Sequence, residues 1–436
     1  VEETLTVKIL IKNADIITCN ASNDVIKNAF LGIKDGCIDF IDATGEALKG
    51  FDADKIIDAD NKLVMPGLVN AHTHSGMTIL RNFANDLALE EWLFNNIFPV
   101  EAKLTPEDIY WGTLLGIAEM IKSGTTTFAD MYLYMEQVAR AVCETGIRAN
   151  LCRSPLKDGD GSVEDSIRCF DYFREWNNSA NGRIKVYVEV HSVYLFDEDT
   201  LRTSAKIAEE LNTGIHIHVQ ETVKECEDSI NKYGMSPAQI CCETGIFDVP
   251  VISAHCVHLS ERDMDIIKKK GVNVVHNPTS NLKLGSGIAK INEMLDLGIN
   301  VALGTDGAAS NNNLNMMEEM HLASIIHKGV QRDPLLINAP GVLRMATLNG
   351  AKALGFEGEI GVIEKGMKAD IILIDTDKPH LCPLNDPVAA VVYSAQGSDI
   401  DTVIIDGVVV MEKGELKTID EEKVKFMVRE TAKRVL

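Results

Sequence analysis

Eight near-continuous apolar runs, each followed by a helix-period stretch, constrain this chain more than any other feature in it. The runs are 63–71, 125–130, 148–153, 184–191, 214–219, 249–255, 272–277 and 300–305. Between them lie segments whose apolar residues recur at helical spacing, for instance 106–122, 198–211, 261–270 and 291–297. A strand that is apolar along its whole length must be covered on both faces, which is the situation of a parallel sheet wrapped by helices. Eight such units point to a closed barrel. An open doubly wound sheet would want a glycine-rich phosphate turn after its first strand, but the residues there are Asn70-Ala71-His72-Thr73-His74.

The two ends read differently. Short alternating runs at 7–11, 29–34 and 55–57, and again at 370–374, 388–392 and 402–410, have the period of strands. Asp35-Gly36 and Asp406-Gly407 are hairpin signals. The expected fold class is therefore α/β: a (β/α)8 TIM-type barrel over 62–355, with a small β-sandwich that residues 1–61 and 356–436 build together.

Composition narrows the partners. The 436 residues carry 42 basic and 65 acidic side chains, a formal charge of −23. Binding to a phosphodiester backbone rests on clustered Lys and Arg, so nucleic acid is excluded as a partner and a small neutral or zwitterionic molecule fits better. No apolar run approaches the ~18 residues of a membrane span, and Val1-Glu2-Glu3-Thr4 has no basic, apolar leader pattern. The ten cysteines form no Cys-x-x-Cys and no disulfide framework. Reduced thiols in a soluble, cytoplasmic protein are expected. No motif writes the oligomeric state, and a homo-oligomer stays open.

Polar residues gather at the C-terminal ends of the barrel runs, where barrel enzymes keep their chemistry. His72 and His74 end the first run two residues apart, so both side chains share a face. His218 and Glu221 close the fifth, His255 the sixth and Asp306 the eighth. His72, His74, His218 and Asp306 make a ligand set for one divalent ion. Three imidazoles and a carboxylate suit zinc, with iron, manganese and cobalt left open by ligand type. Such an ion lowers the pKa of a bound water toward ~7 and makes it a nucleophile. A bridged pair of metals would want a lysine at the end of the fourth run, which reads Val188-Glu189-Val190-His191. Glu221 is placed to shuttle protons, His255 to orient or deprotonate the water, and Asp306 to act as ligand and acceptor together. His216 lies one layer deeper than His218 and reads as a packed core histidine. His258, His321, His327 and His380 show no partner pattern, and His276 is open because the seventh run ends at the same mouth.

The stretches Pro66-Gly67-Leu68-Val69-Asn70-Ala71-His72-Thr73-His74, His218-Val219-Gln220-Glu221, Ser253-Ala254-His255 and Gly304-Thr305-Asp306-Gly307-Ala308-Ala309-Ser310-Asn311-Asn312 resemble the amidohydrolase superfamily. More narrowly they resemble its methylthioadenosine/S-adenosylhomocysteine deaminases, as does His276-Asn277-Pro278-Thr279-Ser280-Asn281. The likeness covers essentially the whole chain. It implies hydrolytic deamination at C6 of an adenine nucleoside to the inosine analogue and ammonia, with Glu221 protonating ring N1. It also implies substrate contacts from Trp92, Glu101, Arg153 and His191, Glu101 taking the ribose hydroxyls and Trp92 packing on the 5′ side. Some relatives that accept S-adenosylhomocysteine carry a second arginine soon after the one matching Arg153. Here Lys157-Asp158-Gly159-Asp160-Gly161-Ser162 follows, so 5′-methylthioadenosine, adenosine or 5′-deoxyadenosine is expected to be preferred.

Three rivals remain. Aminohydrolases of guanine, cytosine, pterin or triazine rings share the barrel and metal set. Cyclic-amide hydrolases would want the bridging lysine. A non-catalytic scaffold would lose ligands that this chain keeps. The His-x-Glu and Pro-Cys-x-x-Cys signature of polynucleotide deaminases is absent.

Overall fold

A computed structural model describes residues 7–22, 24–156 and 167–436. The motif Lys157–Ser162, on which the substrate preference above turns, lies outside them.

Eight parallel strands follow one another around a barrel: Leu68–Thr73, Thr125–Asp130, Arg148–Arg153, Ile184–Ser192, Ile215–Val219, Val251–His255, Asn273–His276 and Val301–Leu303. The ladder runs without a crossover from the eighth strand to the first. The remaining seam is closed by a side chain: Asn70 donates through Nδ2 to Thr305 Oγ1 (2.8 Å) and accepts the Thr305 N–H at Oδ1 (3.0 Å). One residue further, the Asp306 N–H donates to the His72 carbonyl (3.0 Å). Small and branched side chains such as Ala71, Ala129, Cys152, Ile252, Val275 and Ala302 form one buried cluster with Leu354 and Phe356, which follow the helix Leu348–Ala353.

Helices cover the outside, and their ends are written locally. Pro106–Lys122 starts at Thr105, whose hydroxyl accepts the Asp108 N–H while Asp108 accepts the Thr105 N–H (2.7 Å), a reciprocal cap with proline at the first turn.

The two ends of the chain form one nine-stranded mixed sheet. Strands Ile9–Ile17, Val25–Lys34, Cys37–Asp42, Lys55–Asp58 and Lys62–Pro66 come from the head, and Ile371–Asp375, Ile400–Ile405, Val408–Glu412 and Glu415–Leu416 from the tail. Both hairpin signals sit where expected, with positive φ at Asp35 and Gly36 and at Asp406 and Gly407. The expected sandwich takes this form because Lys62–Pro66 bridges the halves, pairing with Ile9–Ile17 on one side and Ile371–Asp375 on the other.

Three expectations are corrected. The run 63–71 is two strands, and the chain crosses from one sheet to the other at Gly67, where any Cβ would fall 2.1 Å from Thr126 Oγ1. The run 388–392 lies in a helix, Pro387–Tyr393, not a strand. Asp386 caps it by accepting the Ala389 N–H (3.0 Å), and local capping with proline at the first turn outweighs the β-branched composition. The last stretch is also helical, Glu421–Val435, with Val424, Val428, Thr431 and Val435 buried at helical spacing. Thr431 donates to Asp108 (2.9 Å) and Lys122 to Glu421 (2.8 Å), so the tail closes against the barrel's first long helix rather than extending the sheet.

Buried ions join the two parts. Arg148, at the start of the third barrel strand, donates from Nε and Nη2 to the two oxygens of Asp370 (2.8 and 3.0 Å), and the Asp406 N–H completes that carboxylate (2.8 Å).

Candidate active site and metal centre

The strand ends carry unusual backbone. Gln220, His255 and Asp306 all have positive φ (52°, 72° and 64°), a conformation that costs a non-glycine residue of order 1–3 kcal/mol. Each follows or ends a barrel strand at the mouth, and each turns the chain so that a polar side chain faces inward. At the first strand the ladder to its neighbour is interrupted between Asn70 and Thr73, which releases this segment from plain alternation.

The result is a convergence. His74 Nε2 lies 3.2 Å and His72 Nε2 3.4 Å from Asp306 Oδ1, and His218 Nε2 lies 3.3 Å from His74 Nε2. The donor atoms of His72, His218 and His255 also fall within 4.8 Å of one another. Ligands sharing one tetrahedral ion at ~2.0–2.1 Å stand about 3.3 Å apart, so the spacing fits a single small dication. Chemistry agrees with spacing. His72 Nε2 is buried without a hydrogen-bond partner among the described residues. Asp306 Oδ2 accepts from Ser280 Oγ and Ser310 Oγ (2.6 and 2.7 Å), which leaves Oδ1, held by the Gly307 N–H (2.8 Å), aimed at the imidazoles.

The electrostatics describe a site built around positive charge. Burial works against a charged Asp306, but the His72 and His74 beside it hold its carboxyl well below the usual range. Burial drops His72 to about 4 despite Asp306. On His74 burial again opposes charge, yet Asp306 and the Met131 carbonyl raise it to about 9. Burial, with His74 and His72 near, lowers His191 to about 3, so its ring is neutral. Burial pushes Glu221 up, toward the protonated form a proton donor needs.

These groups open onto a cavity of about 450 Å³, lined by His74, His218, His255, Glu221 and Asp306 together with Trp92, Glu101 and His191. His255 Nδ1 meets Asn281 Oδ1 (2.8 Å), leaving Nε2 facing the site 3.8 Å from Glu221 Oε2. Glu221 Oε1 accepts from Ser286 Oγ (3.2 Å), and the Ser286 carbonyl is held by His258 Nε2 (2.7 Å). Trp92 sits on the wide-turned helix Glu91–Ile97 that caps the cavity. Arg153 ends the third strand as expected, but its side chain is buried and it is Ser154 and Leu156 that reach the cavity wall. His276 faces away, its Nε2 3.4 Å from His327 Nε2.

Several supporting residues escaped the sequence reading. Glu225 accepts the N–H groups of both Gln220 and Glu221 (3.1 and 2.7 Å) and so fixes the strained turn that bears Glu221. Asp130 accepts from Thr73 Oγ1 (2.8 Å) and from Ser75 N–H and Oγ (2.7 and 2.6 Å), holding the loop after His74. The motif containing Ser280 and Asn281 was the one signal that could have pointed to second-layer contacts. His216, read as core, is buried with its Nε2 2.9 Å from His72 Nδ1.

Comparison with known proteins bears on this geometry. Residues 63–410 match the model of the amidohydrolase family. A 5-methylthioadenosine/S-adenosylhomocysteine deaminase of Acetivibrio thermocellus is 80% identical over 428 residues, 98% of this chain and 99% of that one. One from Thermoanaerobacter pseudethanolicus is 48% identical over 430 residues, again 98% and 99%. Among solved structures, a zinc-bound adenosine deaminase from Xanthomonas campestris superposes with a TM-score of 0.94 at 31% identity, covering 98% of both chains. By sequence across its length and by the barrel that carries its histidines, the chain belongs to the amidohydrolase family, among the 5-methylthioadenosine/S-adenosylhomocysteine deaminases.

Proposed function

We propose that this chain is a hydrolytic deaminase of adenine nucleosides, replacing the 6-amino group by oxygen and releasing ammonia. The observation that carries the reading is the convergence of His72, His74, His218 and Asp306 below a cavity whose wall holds Glu221 and His255, in a chain 80% identical to a deaminase of that name.

His72, His74, His218 and Asp306 would hold one divalent ion, and zinc suits that donor set. When bound, the ion supplies Lewis acidity and an acidified water. The rest is done by side chains. Glu221, whose carboxyl burial shifts toward the protonated form, donates to ring N1 as water adds to C6. His255 orients that water and takes up its proton through the Nε2 left free by Asn281. The tetrahedral carbon then expels ammonia: the proton taken up by His255 passes to the departing amino group, and the C6 hydroxyl returns a proton to Glu221 as the carbonyl forms.

Glu101 receives the ribose hydroxyls, Trp92 covers the 5′ substituent, and His191, neutral, meets the nucleoside from the fourth strand. Arg153 is buried at the end of the third strand, with Nε 3.7 Å from Glu136. The described cavity lining holds Trp92 together with Leu89, Leu93, Leu133 and Leu156. That lining favours 5′-methylthioadenosine, adenosine or 5′-deoxyadenosine over the zwitterionic tail of S-adenosylhomocysteine. A cytoplasmic location accords with ten unpaired cysteines, and no helix among the described residues is long and apolar enough to cross a membrane.

The deciding experiment mixes metal-loaded protein with 5′-methylthioadenosine and follows the adenine absorbance and ammonia. Loss of the band with stoichiometric ammonia is expected. No change with metal bound would turn attention to guanine, cytosine and triazine rings. Comparing kcat/KM across the four nucleosides tests the 5′ preference, which a clear advantage for S-adenosylhomocysteine would overturn.

A further inference from the structure

An imidazole can ligate an ion through Nε2 only if its proton sits on Nδ1, so the partner of Nδ1 decides whether the ring is ready. Two of the three converging rings are settled by the backbone. His74 Nδ1 faces the Met131 carbonyl (2.5 Å) and His218 Nδ1 the His191 carbonyl (2.7 Å). A carbonyl can only accept, so both rings carry N–H there, and Nε2 is the atom that each can offer to an ion.

His72 is the exception. Its Nδ1 meets His216 Nε2 at 2.9 Å, and that atom can give or take a proton. If His216 donated, His72 would have to carry its proton on Nε2, the atom 3.4 Å from Asp306, and the lone pair would point the wrong way. The other nitrogen of His216 faces a group that can likewise give or take a proton. Nδ1 lies 3.4 Å from Cys152 Sγ, on the third strand. His72, His216 and Cys152 are all fully buried, so solvent exchange does not average the choice.

We propose that His216 is a positioning residue of the metal centre: donating from Nδ1 to Cys152 Sγ and accepting at Nε2, it holds His72 in the Nδ1–H form that frees Nε2 for the ion. The polarity runs one way along the chain, from His72 through His216 to the sulfur. A histidine without contact with substrate thereby sets metal affinity, through one ligand out of four. The inference rests on the reading of His72, His74, His218 and Asp306 as a metal site.

The test replaces His216 by Leu and by Gln and measures zinc dissociation constants by chelator competition, beside the thermal midpoint of each zinc-free protein. The amide oxygen of Gln falls near the place of Nε2 and accepts from His72, whereas Leu does not. His216→Leu should weaken zinc binding by about 10–100-fold, the scale of lost support behind a ligand, and His216→Gln should recover most of it. Equal losses in both variants, or wild-type affinity in the Leu variant, overturn the proposal. Histidine-resolved 15N NMR of the zinc-loaded wild-type protein needs no variant to fold: hydrogen on Nδ1 of His216 supports the assigned polarity, and hydrogen on Nε2 refutes it. His72→Ala serves as the control. If it leaves zinc affinity unchanged, the metal reading itself has failed; if it releases zinc while His216→Leu does not, only the present inference has.

Discussion

The hydroxyl of Tyr132 donates to Glu101 Oε1 at 2.6 Å across the cavity wall. Tyr132 ends the segment Asp130-Met131-Tyr132, whose first two members hold the loop after His74 and the His74 ring itself. Gly76 makes room for the ring, since a Cβ there would sit 2.8 Å from it. Burial raises the Glu101 carboxyl, and this hydroxyl together with the nearby His74 pulls it back toward the charged form that accepts from a diol. Tyr132→Phe should therefore raise KM for adenosine about tenfold, as expected for a lost hydrogen bond to a charged group worth ~1.5 kcal/mol. It should change kcat little and leave 2′,3′-dideoxyadenosine nearly unaffected. An equal loss on both nucleosides would assign the tyrosine to packing instead.

Glu221→Gln keeps the shape of the site and removes the proton. Zinc content by elemental analysis should stay at one per chain while kcat falls about 10²–10⁴-fold, the usual worth of a positioned general acid. Full activity in this variant would take Glu221 out of the mechanism.

His74→Ala removes a group that faces both Asp306 and His218. Metal and turnover should be lost together. In the wild-type protein, chelation should lower the thermal midpoint and added zinc restore it, because a ligand that binds only the folded chain stabilises it by mass action. A midpoint indifferent to chelator would argue against the site.

The Arg148–Asp370 pair ties the barrel to the terminal sheet with both partners almost wholly buried. Asp370→Ala leaves the buried guanidinium facing Asp406 at 3.7 Å and takes the acceptor from the Asp406 N–H. A loss of about 3–5 kcal/mol is expected, seen as a lower urea midpoint. A change below ~1 kcal/mol would mean water reaches the arginine.

Glu319 offers a pH signature. Burial raises its carboxyl to about 7 even though the Thr279 N–H and Asn311 Nδ2 donate to it (3.2 and 2.6 Å). The folded state thus binds this proton more tightly than the unfolded chain, and stability present below pH ~4.5 is lost as pH rises toward 7. The thermal midpoint of the wild type relative to Glu319→Gln should accordingly climb as pH falls through that window. A flat difference would refute the shift.

The barrel was legible because strands buried on both faces write themselves as continuous apolar runs, and the convergence of candidate ligands because each lies at or just past the end of such a run. The limits were equally physical. The run 63–71 gave no sign of changing sheets, since both its halves are buried and only the steric demand at Gly67 marks the crossing. The valines of 388–392 have strand propensity, yet a capping Asp386 decides the local structure. Tyr132, Glu225 and His216 act through partners 31, 4 and 144 residues away in sequence, and only Glu225 lies close enough for spacing to suggest a pair. Arg153 had the right strand end, but a strand end does not say which way a long side chain leaves it.

The seam between Asn70 and Thr305 joins residues 235 positions apart, and the candidate ligands straddle it, His72 and His74 on one bank and Asp306 on the other. Seven strands can stack in order through neighbour contacts, but the eighth must find the first, the longest-range pairing in the barrel and the one with most chain entropy to overcome. A nascent chain cannot assemble the centre until Asp306 has been synthesised. On the function proposed above, a bound ion would draw the two banks of this seam together, and the chain without it should open first along this line.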